Sequence, residues 1–184
     1  MLTAENKNSV INTERLTIRP VQKDDLEDFH EIFTDPEALE YFAQEPAADL
    51  EVTRRFVEEK LEANRGEHKF YWAVCLAQSG KMIGQFTLFN FSKPNRRAEV
   101  GYIFNRKFWR KGYASEVLEA MIEYSFSELD MGRLEADADP ENAGSLGLLE
   151  KHGFEREGYF RKRWYFRERW YDSVMLGLLR PGLD

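Results

Sequence analysis

The chain has 184 residues, enough for one domain whose core needs neither a metal nor disulfide staples. A net charge of −7 and a pI near 5.2 work against binding to a phosphate polymer and favour cationic partners. The single cysteine rules out an internal disulfide, and no apolar run reaches the length of a membrane span or a signal-peptide core, so the expectation is a cytoplasmic protein with no membrane partner.

Residues 1–12 are polar and read as a flexible segment, with a single domain over 13–184. Leu16 to Arg19 is a short predicted strand, stopped by Pro20 ahead of Asp24-Asp25 and an amphipathic helix carrying Leu26, Phe29, Ile32 and Phe33. A second helix runs from about Asp49, with Val52, Phe56, Val57 and Leu61 on one face, to Arg65-Gly66, where glycine offers a left-handed cap. Acids crowd the stretch from Glu37 to Glu62, either as a solvated helix face or as a ring around the entry of a cationic acceptor.

Tyr71 to Leu76 and Met82 to Phe91 read as strands of a hairpin that turns at Ser79-Gly80, and Cys75 packs in the first of them as a small hydrophobe. Arg97 to Phe104 is the next strand. After Gly112 comes the clearest helical periodicity, a stripe of Ala114, Val117, Leu118, Met121, Ile122, Ser125, Phe126 and Leu129. Leu134 to Ala138 is a strand, Asn142 to His152 a short helix, and Phe154 to Phe166 with Arg169 to Leu178 a closing hairpin. These elements make a mixed α/β (α+β) domain in which a strand-helix-strand-helix core is flanked by antiparallel strands.

Chemistry concentrates around Gly112. A helix start exposes unpaired N–H groups and partial positive charge, and glycine lets the backbone close on a phosphate; Arg106, Lys107, Arg110 and Lys111 add cations on the approach. Neither a dinucleotide fingerprint nor a P-loop pattern is present. His30, His68 and His152 have no metal-ligand spacing and a single cysteine makes no zinc set, so no metal is expected.

From Arg15 to Leu179 the sequence resembles the GNAT superfamily of acyl-CoA-dependent N-acetyltransferases, and within it the Rim-type ribosomal-protein-alanine acetyltransferases. The matching residues are Glu14-Arg15-Leu16 with Arg19-Pro20, Ile83-Gly84, Glu99-Val100-Gly101-Tyr102, Gly112 to Glu116, Asn142 with Ser145, Glu150 to Phe154, Glu157-Gly158, and Trp170 with Asp172. The family's pyrophosphate turn, Q/R-x-x-G-x-G/A, falls on Trp109 to Ala114, with tryptophan in place of the first residue and Arg110 where glycine is frequent.

The resemblance implies the GNAT fold, a mostly antiparallel central sheet splayed between strands 4 and 5 and flanked by helices. It implies acetyl-CoA as co-substrate, its pyrophosphate on the N–H groups of Arg110, Lys111, Gly112, Tyr113, Ala114 and Ser115, its pantetheine arm along Tyr102, Ile103 and Phe104 and on the amide of Asn142. By itself Asn142 is equally a helix cap.

An alkylammonium loses its proton only near pH ~10, so acyl transfer to an amine at neutral pH needs a base. Glu99 suits that role by resemblance, and equally reads as a strand glutamate paired with Arg96 or Arg97; a solvent-facing Gly101, on the same strand face, would defeat the base role. Many family members protonate the departing thiolate with a tyrosine at a position that is Leu149 here, which leaves Ser145 as the implied acid.

The implied activity is acetylation of a primary amine, whether a protein N-terminus, a polyamine or another small amine. Two alternatives stand beside it: a non-catalytic acyl-CoA sensor, and an RNA-associated module using the cations and rings of Arg161 to Tyr171, although overall acidity makes direct nucleic-acid binding the lesser reading. Exposed rings on that hairpin would suit a homodimer interface.

Overall fold

A computed structural model describes residues 9–183. Eight strands form one sheet: β1 (Ile11–Asn12), β2 (Leu16–Pro20), β3 (Lys69–Leu76), β4 (Met82–Ser92), β5 (Arg97–Phe104), β6 (Arg133–Ala138), β7 (Glu155–Phe166) and β8 (Arg169–Leu179). Their order is β1-β2-β3-β4-β5-β6-β8-β7, and every neighbouring pair is antiparallel except β5 and β6. Four helices cover it: α1 (Leu26–Phe33), α2 (Leu50–Ala63), α3 (Tyr113–Ser127) and α4 (Ala143–Lys151).

Alternation along the strands sorts the core into two layers. Trp72, Val74, Ile83, Phe86, Val100 and Leu134 lie on the face covered by α3 and α4, with Val117, Leu118, Met121 and Leu149. Ala73, Cys75, Met82 and Ile103 lie on the opposite face against Phe29, Ile32 and Phe33 of α1 and Val57 of α2. The sheet is therefore closed on both sides, and burial pushes the Cys75 thiol up to about 11, as befits an inert packing residue. Gly84 is required by close approach: a Cβ there would lie 2.4 Å from the ring of Phe104.

Within the segment expected to be flexible, Ile11 and Asn12 pair with Ile18 and Thr17 as β1, while residues 1–8 fall outside the described part. The α2 terminus also departs from expectation. Gly66 does not adopt the left-handed cap; the helix ends at Ala63, and the Asn64 side chain both donates to and accepts from the backbone of Tyr71, at 2.9 and 2.8 Å. The amide thus ties the helix end to β3 and makes a glycine cap unnecessary.

Candidate active site

The turn between β5 and α3 is built on unusual backbone. Arg110 and Gly112 both have positive φ, 58° and 83°. Gly112 is the residue preceding α3, so the first N–H groups of that helix open toward the turn without intrahelical acceptors. This backbone explains why the position of Arg110 is frequently glycine among the proteins the chain resembles: an arginine is strained there. Trp109 makes the turn differently from a glutamine or arginine, because its indole Nε1 donates to the Phe104 carbonyl at 2.8 Å and pins the turn to the end of β5.

Other residues hold the turn from outside. Arg15 donates to the Lys111 carbonyl at 2.9 Å, stacks its guanidinium 4.6 Å from the Tyr113 ring and pairs with Glu116 at 2.6 Å. A Cβ at residue 112 would come within 3.3 Å of that guanidinium. The Ser115 hydroxyl meets His152 Nε2 at 2.7 Å and Lys151 Nζ at 2.9 Å, which joins the start of α3 to the end of α4. A depression lined by Arg15, Gly112, Ser115 and Lys151, and also by Glu14, Glu116 and Glu119, faces this end of the helix, with Arg15 paired to Glu116. The backbone here, open N–H groups beside a left-handed glycine, is of the kind that can close on an anion.

The splay lies beside it. β5 and β6 share three ladder positions, Arg97 with Arg133, Ala98 with Leu134 and Glu99 with Glu135. Beyond Glu99, β5 continues to Phe104 and β6 to Ala138 without pairing to each other. Glu99 stands at the last rung before the opening.

Its carboxylate does not pair with Arg96 or Arg97. Arg96 binds Asp130 and Arg97 binds Glu135, whereas Glu99 accepts from Asn90 Nδ2 at 2.8 Å. Asn90 reaches it from a register shift in β4, at a positive φ of 52° that asparagine tolerates better than most residues. Burial holds the Glu99 pKa above the ordinary glutamate range; the Asn90 hydrogen bond opposes that, and Asp137 and Glu135 reinforce it. Gly101, on the same face, is half-buried near the Phe89 ring, and Ile103 is in the core, so this face is only partly open to solvent.

Tyr102 points through the other face. Its hydroxyl lies 2.8 Å from Ser145 Oγ, and burial pushes its pKa up to about 12 against the pull of that hydrogen bond. Asn142 caps α4 by accepting from Ser145 N at 3.0 Å, which leaves its amide N–H groups for another acceptor. Leu149 is core. Sequence reasoning placed Tyr102 only as backbone and missed both its side-chain contact with Ser145 and the role of Asn90; neither pairing has a local spacing signal.

Two cations of the last hairpin are held by carboxylates. Arg163 binds Asp137 at 2.9 Å and Arg167 binds Glu45 at 2.8 Å, while Asp172 accepts from the backbone N–H of Lys162 and from the Tyr159 hydroxyl. Most acids from Glu37 to Glu62 lie on exposed surface, the solvated-face alternative, with Glu45 set apart by its reach to the hairpin.

With this geometry in view, the sequence profile of the Acetyltransferase (GNAT) domain matches residues 15–155. The chain belongs to the GNAT family. It is similar to the uncharacterized N-acetyltransferase p20 of Bacillus licheniformis, 30% identical over 168 residues that span 91% of this chain and 94% of that one. A solved GNAT-family acetyltransferase from Bacillus anthracis is 32% identical and superposes with a TM-score of 0.83 over 93% of this chain and 98% of its own. Spermidine N-acetyltransferase from Vibrio cholerae, solved with CoA and spermine, shares the fold at a TM-score of 0.78 and 23% identity, over 91% of this chain and 96% of its own. This GNAT protein is an N-acetyltransferase, and amine acetylation is the chemistry of its relatives. Among the described residues no helix is long and apolar enough to cross a membrane.

Proposed function

We propose that the protein transfers an acetyl group from acetyl-CoA to a primary amine by direct attack, with Glu99 as the base. The observation that carries this reading is the placement of Glu99 and Tyr102 on opposite faces of β5, at the point where the sheet opens. An amine arriving beside Glu99 and a thioester arriving beside Tyr102 and Ser145 would meet through the gap.

Acetyl-CoA, when bound, supplies the activated acyl group. For its pyrophosphate, the fitting residues are the N–H groups from Arg110 to Ser115; for its pantetheine arm, the unpaired part of β5 from Tyr102 to Phe104 and the Asn142 amide. Glu99, with a proton affinity raised chiefly by burial, is a better base than an ordinary surface carboxylate. Ser145 and Tyr102 would share a hydrogen bond with the departing sulfur. Since a thiol ionises near pH ~8.5 and the Tyr102 hydroxyl near 12, the pair stabilises the thiolate more readily than it surrenders a proton outright.

Glu99, Glu135 and Asp137 share one face of the opening; Glu135 is paired with Arg97 and Arg133 and Asp137 with Arg163, which leaves Glu99, held by the neutral Asn90 amide, to meet a cationic amine. Polyamines and protein N-termini are the acceptor classes to test. Free-thiol release from acetyl-CoA across a panel of polyamines and N-terminal peptides should identify an acceptor, and calorimetry should detect acetyl-CoA binding without one. Absence of binding heat would overturn the cofactor site; binding without thiol release for any amine would favour a sensor.

A further inference from the structure

We infer that Asp137 is a positioning residue for the acceptor half of the reaction: it fastens the β7–β8 hairpin to the open lip of the splay and directs its charge at Glu99 across the gap. The inference rests on Glu99 being the base.

The argument starts with register. Glu135 is the last β6 residue paired with β5, and Asp137 is the next residue on the same face, beyond the point where the strands separate. Its side chain is 9% exposed. Oδ2 accepts from Arg163 Nε at 2.9 Å and from Trp164 Nε1 at 3.3 Å, and Oδ1 accepts from the Ser173 hydroxyl. All three donors belong to β7 or β8, so one carboxylate gathers both strands of the hairpin. A carboxylate has about four acceptor directions, and three are used.

The clasp lies where β7 is irregular. Its register against β8 shifts between Phe160 and Trp164, and Lys162 has a φ of 53°. The ladder resumes where Trp164 pairs with Tyr171, and across the break the contacts of Arg163 and Trp164 with Asp137 act beside those of Lys162 N and the Tyr159 hydroxyl with Asp172 in fixing the strand's course. Arg163 also stacks on the rings of Phe160 and Trp164, at 5.0 and 5.5 Å. Without Asp137, the guanidinium loses its acceptor on the sheet and the indole keeps only the Ser173 hydroxyl, at 3.2 Å.

The same groups set the field at Glu99. Facing it are Asn90 from β4, Glu135 and Asp137 from β6 and Arg163 from β7, with Lys69 of β3 over the ring of Phe89, the residue paired opposite Glu99. Glu135 is already held by Arg97 and Arg133. Asp137 and Arg163 therefore form an adjustable pair: the first raises the proton affinity of Glu99, the second lowers it, and they are bound to each other.

Two variants separate this from a purely structural clasp, because they break the same contact but change charge in opposite directions. The side-chain carboxyl of Glu99 is titrated by NMR in the purified full chain without cofactor, in wild type, Asp137→Asn and Arg163→Met. Asp137→Asn is expected to lower the Glu99 pKa and Arg163→Met to raise it, each by roughly half a unit or more. Both should raise KM for an acceptor amine several-fold and leave acetyl-CoA affinity unchanged by calorimetry. Unmoved titrations, or shifts of the same sign, would overturn the inference. Glu99→Gln is the separate control: if it retains turnover, the base assignment fails while the titrations still decide how Asp137 acts on Glu99.

Discussion

At the scale of single residues, Glu99 and Lys60 illustrate opposite uses of burial. Glu99 is a carboxylate whose folded pKa is raised, so the folded state binds its proton more tightly, and ionising it between the ordinary glutamate value and the raised one costs stability. Glu99→Gln is therefore expected to lower kcat by about 10²–10⁴-fold, leave acetyl-CoA binding intact and leave the melting temperature at neutral pH equal or higher; a lower melting temperature would assign Glu99 a structural role. In wild type, the acid limb of kcat/KM should fall above the ordinary glutamate range. Lys60 is 7% exposed and surrounded by Phe29, Phe33, Phe56 and Tyr71, whose rings lie 4.8 to 5.9 Å from Nζ. Burial lowers its pKa to about 8, which the ring faces offset in part. The unfolded chain keeps that proton to about pH 10.4, so stability should climb between about pH 8 and that value and be lowest below it. Lys60→Met is expected to add about 1–2 kcal/mol at pH 7 and flatten the climb, as urea unfolding at pH 7 and pH 10 would show.

At the scale of elements, local pattern carried most of what the sequence revealed. The stripe from Ala114 to Leu129 set α3, observed at Tyr113–Ser127, because one apolar face every 3.6 residues leaves little choice. The β5 strand was bounded correctly at Arg97 and Phe104. What escaped was pairing at long range: Tyr102 with Ser145, Asn90 with Glu99 across a strand shift, and Asp137 with the hairpin all depend on tertiary placement. β1 escaped as well, since two residues are too few to show alternation. Backbone conformation gives two further predictions. At Gly112, with φ 83°, Gly112→Val is expected to cost about 1–2 kcal/mol and weaken acetyl-CoA binding at least tenfold by calorimetry. The β7–β8 turn uses Arg167 and Glu168 at φ 50° and 56°, where glycine is preferred at the second position, so Glu168→Gly should stabilise by about 1 kcal/mol in thermal unfolding. A loss there would mean that the turn is not strained.

For the whole molecule, the single parallel pair among the described strands opens the sheet between two layers of core, and the proposed reaction would give each substrate its own side. The turn on which the family resemblance puts the cofactor was legible because a turn and a helix start are contiguous in sequence. The proposed acceptor end draws on β4, β5, β6 and the last hairpin, and no contiguous motif records it. With a net charge of −7, the protein attracts a cationic acceptor at long range, and salt should screen that attraction. If a polyamine is the acceptor, its KM should rise between 50 mM and 500 mM salt by more than that of a monoamine, in a thiol-release assay; equal responses would indicate recognition by contact alone.

The grip of Arg15 on the turn before α3 carries a practical consequence. Thr13 and Arg15 both bind Glu116, and Arg15 also holds the Lys111 carbonyl, so the strap leading into β2 is sewn to the turn proposed to hold the cofactor. Protease cleavage in this strap should therefore slow when acetyl-CoA is present, and a chain trimmed to begin at Leu16 should still fold yet release its nucleotide faster.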